Sequence, residues 1–260
     1  MPLRILVLLK AVPVVGTERL DGSLRVDRSA NLEPNGNDEY CLEKSLQLTE
    51  AHGGEVTVLS MGPPGALDAI RKALAMGAAR AIHVGDPAIA GSDLQATARI
   101  LAAAVRKTEF DLLLAGFDSS DGAAGVIPSM LATLLGLPYL SNAADIEPAG
   151  DGRVRVRRLS AVGYDVIEAP TPALIMGTQL LGAPRYPSLR GIMQARSKEV
   201  LAWDLAELGI DRASVGAGTA ATQVLAAEPP PTRGAGAVVR EEPDAAVARI
   251  VAFLDQRGLL

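Results

Sequence analysis

Only one cysteine, Cys41, stands in the 260 residues. That excludes an internal disulfide framework and a cysteine-built zinc site. Histidine is nearly as scarce: His52 and His83 are the two, too few to favour a histidine metal centre or a Ser-His-Asp triad. Aromatic residues make up 3% against 48% hydrophobic residues overall. Ala, Val and Leu must therefore fill the core, which suits helices packed on a sheet better than an aromatic-rich sandwich. No apolar run approaches the roughly 20 residues a bilayer requires. The run at 5–9 is short and lacks a small-residue cleavage site after it, so neither membrane insertion nor secretion is expected, and a cytoplasmic location is. The net charge is −5, without the concentrated positive field that nucleic acid demands. Also missing are G-x-G-x-x-G after the first strand, G-x-x-x-x-G-K-[ST] and G-x-S-x-G. A dinucleotide dehydrogenase, a P-loop NTPase and a nucleophile-elbow hydrolase are disfavoured accordingly.

What is present is alternation. The apolar run at 4–10 reads as a central parallel strand. Residues 17–27, with Asp21-Gly22, read as a small hairpin or extended excursion. A helix is expected over 38–52, stopped by Gly53-Gly54. Then come a strand at 55–60, a helix to Met76, a strand at 80–84, a helix over 92–107, a strand at 110–115 and a helix over 123–136. This spacing predicts βαβ crossovers and a doubly wound, mostly parallel α/β sheet. Short extended runs over 142–170, with a turn at Asp151-Gly152, predict an antiparallel excursion. The apolar segment 173–176 is expected to return to the main sheet. Residues 180–199 are polar, basic and interrupted by proline. Residues 213–237, rich in Ala, Gly, Thr and Pro, read as an extended linker. The final helix, 244–257, carries Val247, Ile250, Val251 and Leu254 on one face.

Ligands bind a doubly wound sheet at the carboxyl ends of its strands. Three segments fall there: Leu8 to Pro13, Ser60-Met61-Gly62-Pro63, and the loop from Ala115 to Gly125. Small residues before a helix let backbone N–H groups approach an anion, and the helix dipole favours negative charge. An adenine nucleotide phosphate is the natural candidate; an ordinary strand-to-helix turn is the plain alternative. Asp118 and Asp121 are awkward beside an anion and read as helix caps. Lys10 could face a nucleotide, although a strand-end lysine is usually solvent-exposed. Cys41 reads as a buried, inert thiol, and both histidines read as structural. No catalytic residue and no metal site is expected.

The segments Ala73-Leu74-Ala75-Met76-Gly77-Ala78 and Pro184-Arg185-Tyr186-Pro187-Ser188-Leu189-Arg190-Gly191-Ile192-Met193 resemble the electron transfer flavoprotein β-subunit family. The turn Asn35-Gly36-Asn37-Asp38-Glu39-Tyr40 is similar to that family's Asn-Pro-x-Asp-Glu-Tyr, with Gly36 in place of proline. The likeness runs from residue 3 to about 210. It implies an adenine nucleotide α-hydrolase-like, Rossmann-like domain over 1–212; the linker and helix over 213–260, with their apolar stripe, are expected to dock on the partner subunit. It implies an electron-carrier subunit rather than an enzyme, in a heterodimer with an α subunit holding most of the contacts to FAD. This chain would hold a structural AMP. Electrons would pass from acyl-CoA or related dehydrogenases, as in fatty acid β-oxidation, to a quinone oxidoreductase. Carried onto this sequence, the AMP positions are Leu8, Asn35, Gly36, Asn37, Asp38, Met61, Asp118, Ser119, Ser120, Asp121, Gly122, Ala123, Ala124, Gly125, Val126 and Ile127. The dehydrogenase-gripping loop falls on 185–199, including Arg185, Tyr186, Pro187, Ser188, Arg190, Gly191, Ile192 and Met193, with Leu189 as its anchor. The sequence departs from mammalian-type members at 118–128, which lacks Asn-Gln-Thr, and around Leu159, where a carboxylate is missing. Bifurcating members hold a second FAD in place of AMP. A stand-alone adenine-nucleotide hydrolase or sensor is the reading from a different class.

Overall fold

The computed structural model describes residues 2–228, 234, 236 and 238–260. In chain order the elements are β1 (Leu3–Leu8), β2 (Ala11–Pro13), β3 (Leu32–Pro34), α1 (Gly36–His52), β4 (Gly54–Met61), α2 (Ala66–Met76), β5 (Arg80–Val84), α3 (Leu94–Arg106) and β6 (Leu112–Gly116). They continue with α4 (Ile127–Leu135), β7 (Tyr139–Gly150), β8 (Arg153–Ser160), β9 (Gly163–Pro170), β10 (Ala173–Gly177), α5 (Leu189–Ala195), β11 (Val200–Trp203) and α6 (Pro243–Asp255).

Nine strands form one sheet in the order β11-β5-β4-β1-β6-β10-β7-β8-β9. The first seven run parallel, and β7, β8 and β9 form an antiparallel meander at one edge. Strand β1 lies between β4 and β6, which explains its unbroken apolar run: both of its faces are covered. Ile5 and Val7 pack with Leu42 and Leu46 of α1 and Ile70 and Leu74 of α2. Leu6 and Leu8 pack on the other side with Ile100 of α3 and Leu131 of α4. The period of two thus sorts one strand into two cores.

The doubly wound, mostly parallel reading holds, and β10 does return to the main sheet, between β6 and β7. The three short runs at 142–170 are longer than the sequence suggested. β7 begins in the parallel sheet beside β10 and continues past it to pair with β8. Helix α4 begins at Ile127 rather than at 123, because Ala123 and Gly125 take positive φ values of 43° and 62°. That backbone makes the preceding segment a loop.

The chain divides into two compact units, Met1–Val224 and Leu225–Leu260. Residues 213–224, read from composition as part of a linker, belong to the first. Val215 is buried, Gly216 N–H donates to Ser92 Oγ at 2.9 Å, and Ala221 N–H donates to Asp93 Oδ2 at 2.8 Å. The buried Val215 and these hydrogen bonds together hold this segment. The run Pro229-Pro230-Pro231 lies outside the described residues. In the second unit, α6 exposes Val247, Ile250, Val251 and Phe253. No helix among the described residues is long and apolar enough to cross a membrane.

Candidate functional site

At the carboxyl ends of β1, β4 and β6 three segments meet. Asn35 starts it. It occupies the N-cap position of α1 yet makes no side-chain cap, because its amide is used elsewhere. Its Nδ2 donates to the Asp118 carbonyl at 2.7 Å, and its Oδ1 accepts from Ser120 N–H at 3.2 Å. Asn37 Nδ2 donates to Asp118 Oδ1 at 2.6 Å. Two asparagines thus fasten the loop after β6 to the start of α1.

Asp38, one position on, is buried. Its Oδ2 accepts from Lys10 N–H at 2.8 Å and its Oδ1 from Gly116 N–H at 3.1 Å. One carboxyl group therefore ties the end of β1 and the end of β6 to α1. Burial pushes its pKa up to about 7, outweighing the two backbone donors. Gly116 must be glycine here: a Cβ would sit 2.5 Å from Asp38 Oδ1 and 2.7 Å from the Asn37 carbonyl carbon.

The structure corrects the role expected for Asp118 and Asp121. Neither caps α4, whose N-cap residue is Val126 without a side-chain hydrogen bond. Asp118 instead takes the Asn37 amide. The Asp121 carboxylate is fully buried and held by two cations: Lys10 Nζ at 2.7 Å and the Arg28 guanidinium. Burial raises its pKa, but the hydrogen bond and charge of Lys10, aided by Arg28, hold it below the usual carboxylate range. Lys10 also donates to Ser119 Oγ at 2.9 Å. Lys10 and Arg28 thus offset Asp121, while the Asp118 carboxylate is met by the neutral Asn37 amide, so the cluster holds two cations and two carboxylates. Arg28 was not singled out in the sequence. It comes from the excursion between β2 and β3, and no local pattern links it to a loop 93 residues away.

The rest of the loop suits an anion. The amides of Ala124, Gly125 and Val126 have no protein acceptor among the described residues, and α4 starts immediately after them. At Gly125 a Cβ would find open contact, 3.8 Å from Phe117, so the positive φ rather than crowding selects glycine. Leu8 and Met61 end neighbouring strands, with Leu8 beside Leu59 in register. Beside Met61, Ser60 Oγ is buried with no partner among the described residues, an orphaned hydroxyl near the carboxyl end of β4. Gly36, Gly122 and Ala123 lie in the same stretch, and Ile127 packs its side chain against the core beneath α3 and α4. The strand-end choice therefore brings together Leu8, Asn35 to Asp38, Met61 and 118–127.

Cys41 is buried, and burial pushes its thiol pKa well up. It packs in the core, as expected of an inert thiol. His83 is buried with Nε2 3.0 Å from the Gly62 carbonyl.

A second constellation lies on residues 185–199. Arg185 turns into the protein, to Glu43 and Glu50 on α1. Ser188 caps α5 by accepting Gly191 N–H at 3.0 Å. Gly191 lies against α2, where a Cβ would meet the Ala75 carbonyl at 2.3 Å. Tyr186, Leu189 and Met193 point outward, 96%, 81% and 67% exposed. Arg190 and Ile192 are exposed as well, and Pro187 is half-buried.

The profile described as the electron transfer flavoprotein domain matches residues 23–208. The electron transfer flavoprotein subunit beta of Mycobacterium leprae is 39% identical over 249 residues, covering 92% of this chain and 93% of its own. That of Thermoanaerobacterium thermosaccharolyticum is 34% identical over 261 residues, covering 99% and 100%. The caffeyl-CoA reductase-Etf complex subunit CarD of Acetobacterium woodii is 34% identical over 243 residues, covering 91% and 92%. Both constellations lie within the span these relatives share, and with likeness along nearly the whole length the chain belongs to the electron transfer flavoprotein family, as a β subunit, an electron carrier rather than an enzyme.

Proposed function

We propose that this chain pairs with an α subunit, holds one AMP at the ends of β1, β4 and β6, and presents residues 185–199 to an electron-donating dehydrogenase. The observation that carries the nucleotide reading is the loop from Asp118 to Ile127. Its free amides at 124–126 precede a helix N-terminus, beside Lys10 and Arg28, which offset the buried Asp121. A phosphate there would meet backbone N–H groups beside the side chains of Lys10 and Arg28. Leu8, Asn35 to Asp38 and Met61 line the approach for the nucleoside, and the orphaned Ser60 hydroxyl offers one more polar contact. AMP does no redox chemistry. Its contribution is to fold stability, by binding the native state alone.

FAD, held mainly by the α subunit, would supply the electron-carrying chemistry of the heterodimer. This chain's part is to bring the donor close. The exposed Leu189, displayed between two fixed ends of its loop, fits an apolar anchor for an acyl-CoA or related dehydrogenase. A quinone oxidoreductase fits as the acceptor that follows, in the cytoplasm. The apolar face of α6 fits docking on the α subunit.

The test is nucleotide release. Acid treatment of the purified heterodimer, followed by mass identification, should give one AMP and one FAD. Two FAD and no AMP would refute the AMP assignment and favour electron bifurcation.

A further inference from the structure

We infer that Arg185 is a positioning residue that sets the docking loop by clamping it to α1, resting on the reading of 185–199 as the docking segment. The arginine opens the segment and spends its guanidinium on carboxylates of its own chain. Its Nε donates to Glu43 Oε2 at 2.8 Å and its Nη2 to Glu43 Oε1 at 3.0 Å. Its Nη1 and Nη2 donate to Glu50 at 2.5 and 3.0 Å, and its backbone N–H donates to Glu43 Oε2 at 3.1 Å. Glu43 and Glu50 lie seven residues apart, two turns along one face of α1. Gln47 stands between them and donates to Glu43 Oε1 at 2.9 Å. Glu43 is 4% exposed, so this carboxylate is built into the protein rather than displayed on it. Burial raises its pKa, and Arg185 and Gln47 together bring it below the usual range.

The far end of the segment is fixed just as firmly, to α2. Arg71 Nη1 donates to the carbonyls of Ala195 and Lys198 at 2.7 and 2.9 Å. Lys198 Nζ donates to the carbonyls of Leu74 and Ala78 at 2.9 and 2.6 Å. Between these fixed ends stand Tyr186, ahead of the helix, and Leu189 and Met193 on a helix of seven residues, all three exposed. So short a helix has little stability of its own. Its order comes from packing on α2 through Gly191 and the buried Ala195, together with the two clamps, and holding exposed apolar side chains ready lowers the entropy lost on binding. The planar fork of arginine matches two carboxylates as a lysine could not.

The experiment uses the intact heterodimer in three further forms: Arg185→Lys, Arg185→Gln with Glu43→Gln, and Leu189→Ala. The paired substitution leaves no uncompensated buried charge. Hydrogen–deuterium exchange is followed by mass spectrometry. Exchange over 186–195 should quicken about tenfold or more in both Arg185 variants, while 39–50 and β1 keep their protection. Unchanged exchange over 186–195, or equal quickening over 39–50, overturns the inference; the second outcome would make Arg185 a general stabiliser of α1. Reduction of the heterodimer by an acyl-CoA dehydrogenase charged with butyryl-CoA supplies the second readout. The clamp variants should raise KM for the heterodimer about tenfold at unchanged kcat, and a fall in kcat alone overturns the positioning role. If Leu189→Ala leaves KM unchanged in the same assay, the docking reading fails, while the exchange data still judge the clamp.

Discussion

Asp38→Asn isolates the junction on which the proposed nucleotide site is built. Asp38 has a native pKa of about 7, against about 3.9 for an unperturbed aspartate. A carboxyl whose native pKa is raised keeps its proton where the unfolded chain has lost it. Its contribution to stability therefore falls as pH rises from about 4 to about 7, and the full loss above that window is about 4 kcal/mol. Between pH 5 and pH 8 the change is about 3 kcal/mol by the same linkage. Asparagine carries no titrating group, so this pH dependence disappears. It also has one oxygen where two backbone donors, Lys10 N–H and Gly116 N–H, now find acceptors. One donor is orphaned, at a cost of about 1–3 kcal/mol at every pH. The variant should thus be less stable than wild type at pH 5 and close to it at pH 8. Urea unfolding of both proteins at the two pH values gives the comparison. A variant whose stability follows wild type in parallel from pH 5 to pH 8 would refute the argument, since Asp38 would then be ionised throughout.

Four further outcomes follow from the geometry. Gly116→Ala forces a Cβ onto Asp38 and Asn37 and should lower unfolding free energy by about 1–3 kcal/mol or more, read by urea denaturation. Gly125→Asp adds strain at a positive φ and a negative charge beside the free amides, so nucleotide retained through gel filtration should fall. Leu189→Ala removes a side chain that is 81% exposed; the thermal midpoint should hold, while electron transfer from the donor slows about ten- to hundredfold if burial against the partner is worth roughly 1.5–3 kcal/mol. Truncation after Ala227 removes α6 with its exposed apolar face and should weaken subunit association in analytical ultracentrifugation.

Much of the fold was legible because its elements are local in origin. The run at 5–9 had to be a doubly covered strand, and β5 falls on the very residues, 80–84, that composition marked. Gly53 and Gly77 end α1 and α2 at positive φ, as glycine after an apolar period implies. The start of α4 was misplaced by four residues, because Ala123 at positive φ gives no warning in sequence. The segment at 213–224 was misread for a related reason: it is held by the buried Val215 and by backbone hydrogen bonds to Ser92 and Asp93, which composition does not register.

The sequence by itself determined the alternating sheet, the strands at 4–10, 55–60 and 110–115 to within two residues of their ends, and the family, since these depend on residue order and local period. Only the tertiary structure decided what the charges do. Asp121 reads as a cap until Lys10 and Arg28 arrive from 111 and 93 residues away. Arg185 reads as a surface contact until Glu43 and Glu50, 142 and 135 residues away, turn it inward. Charge pairing acts across space over a few ångströms and leaves no period along the chain, so it is settled only when the strands and helices have brought the partners together.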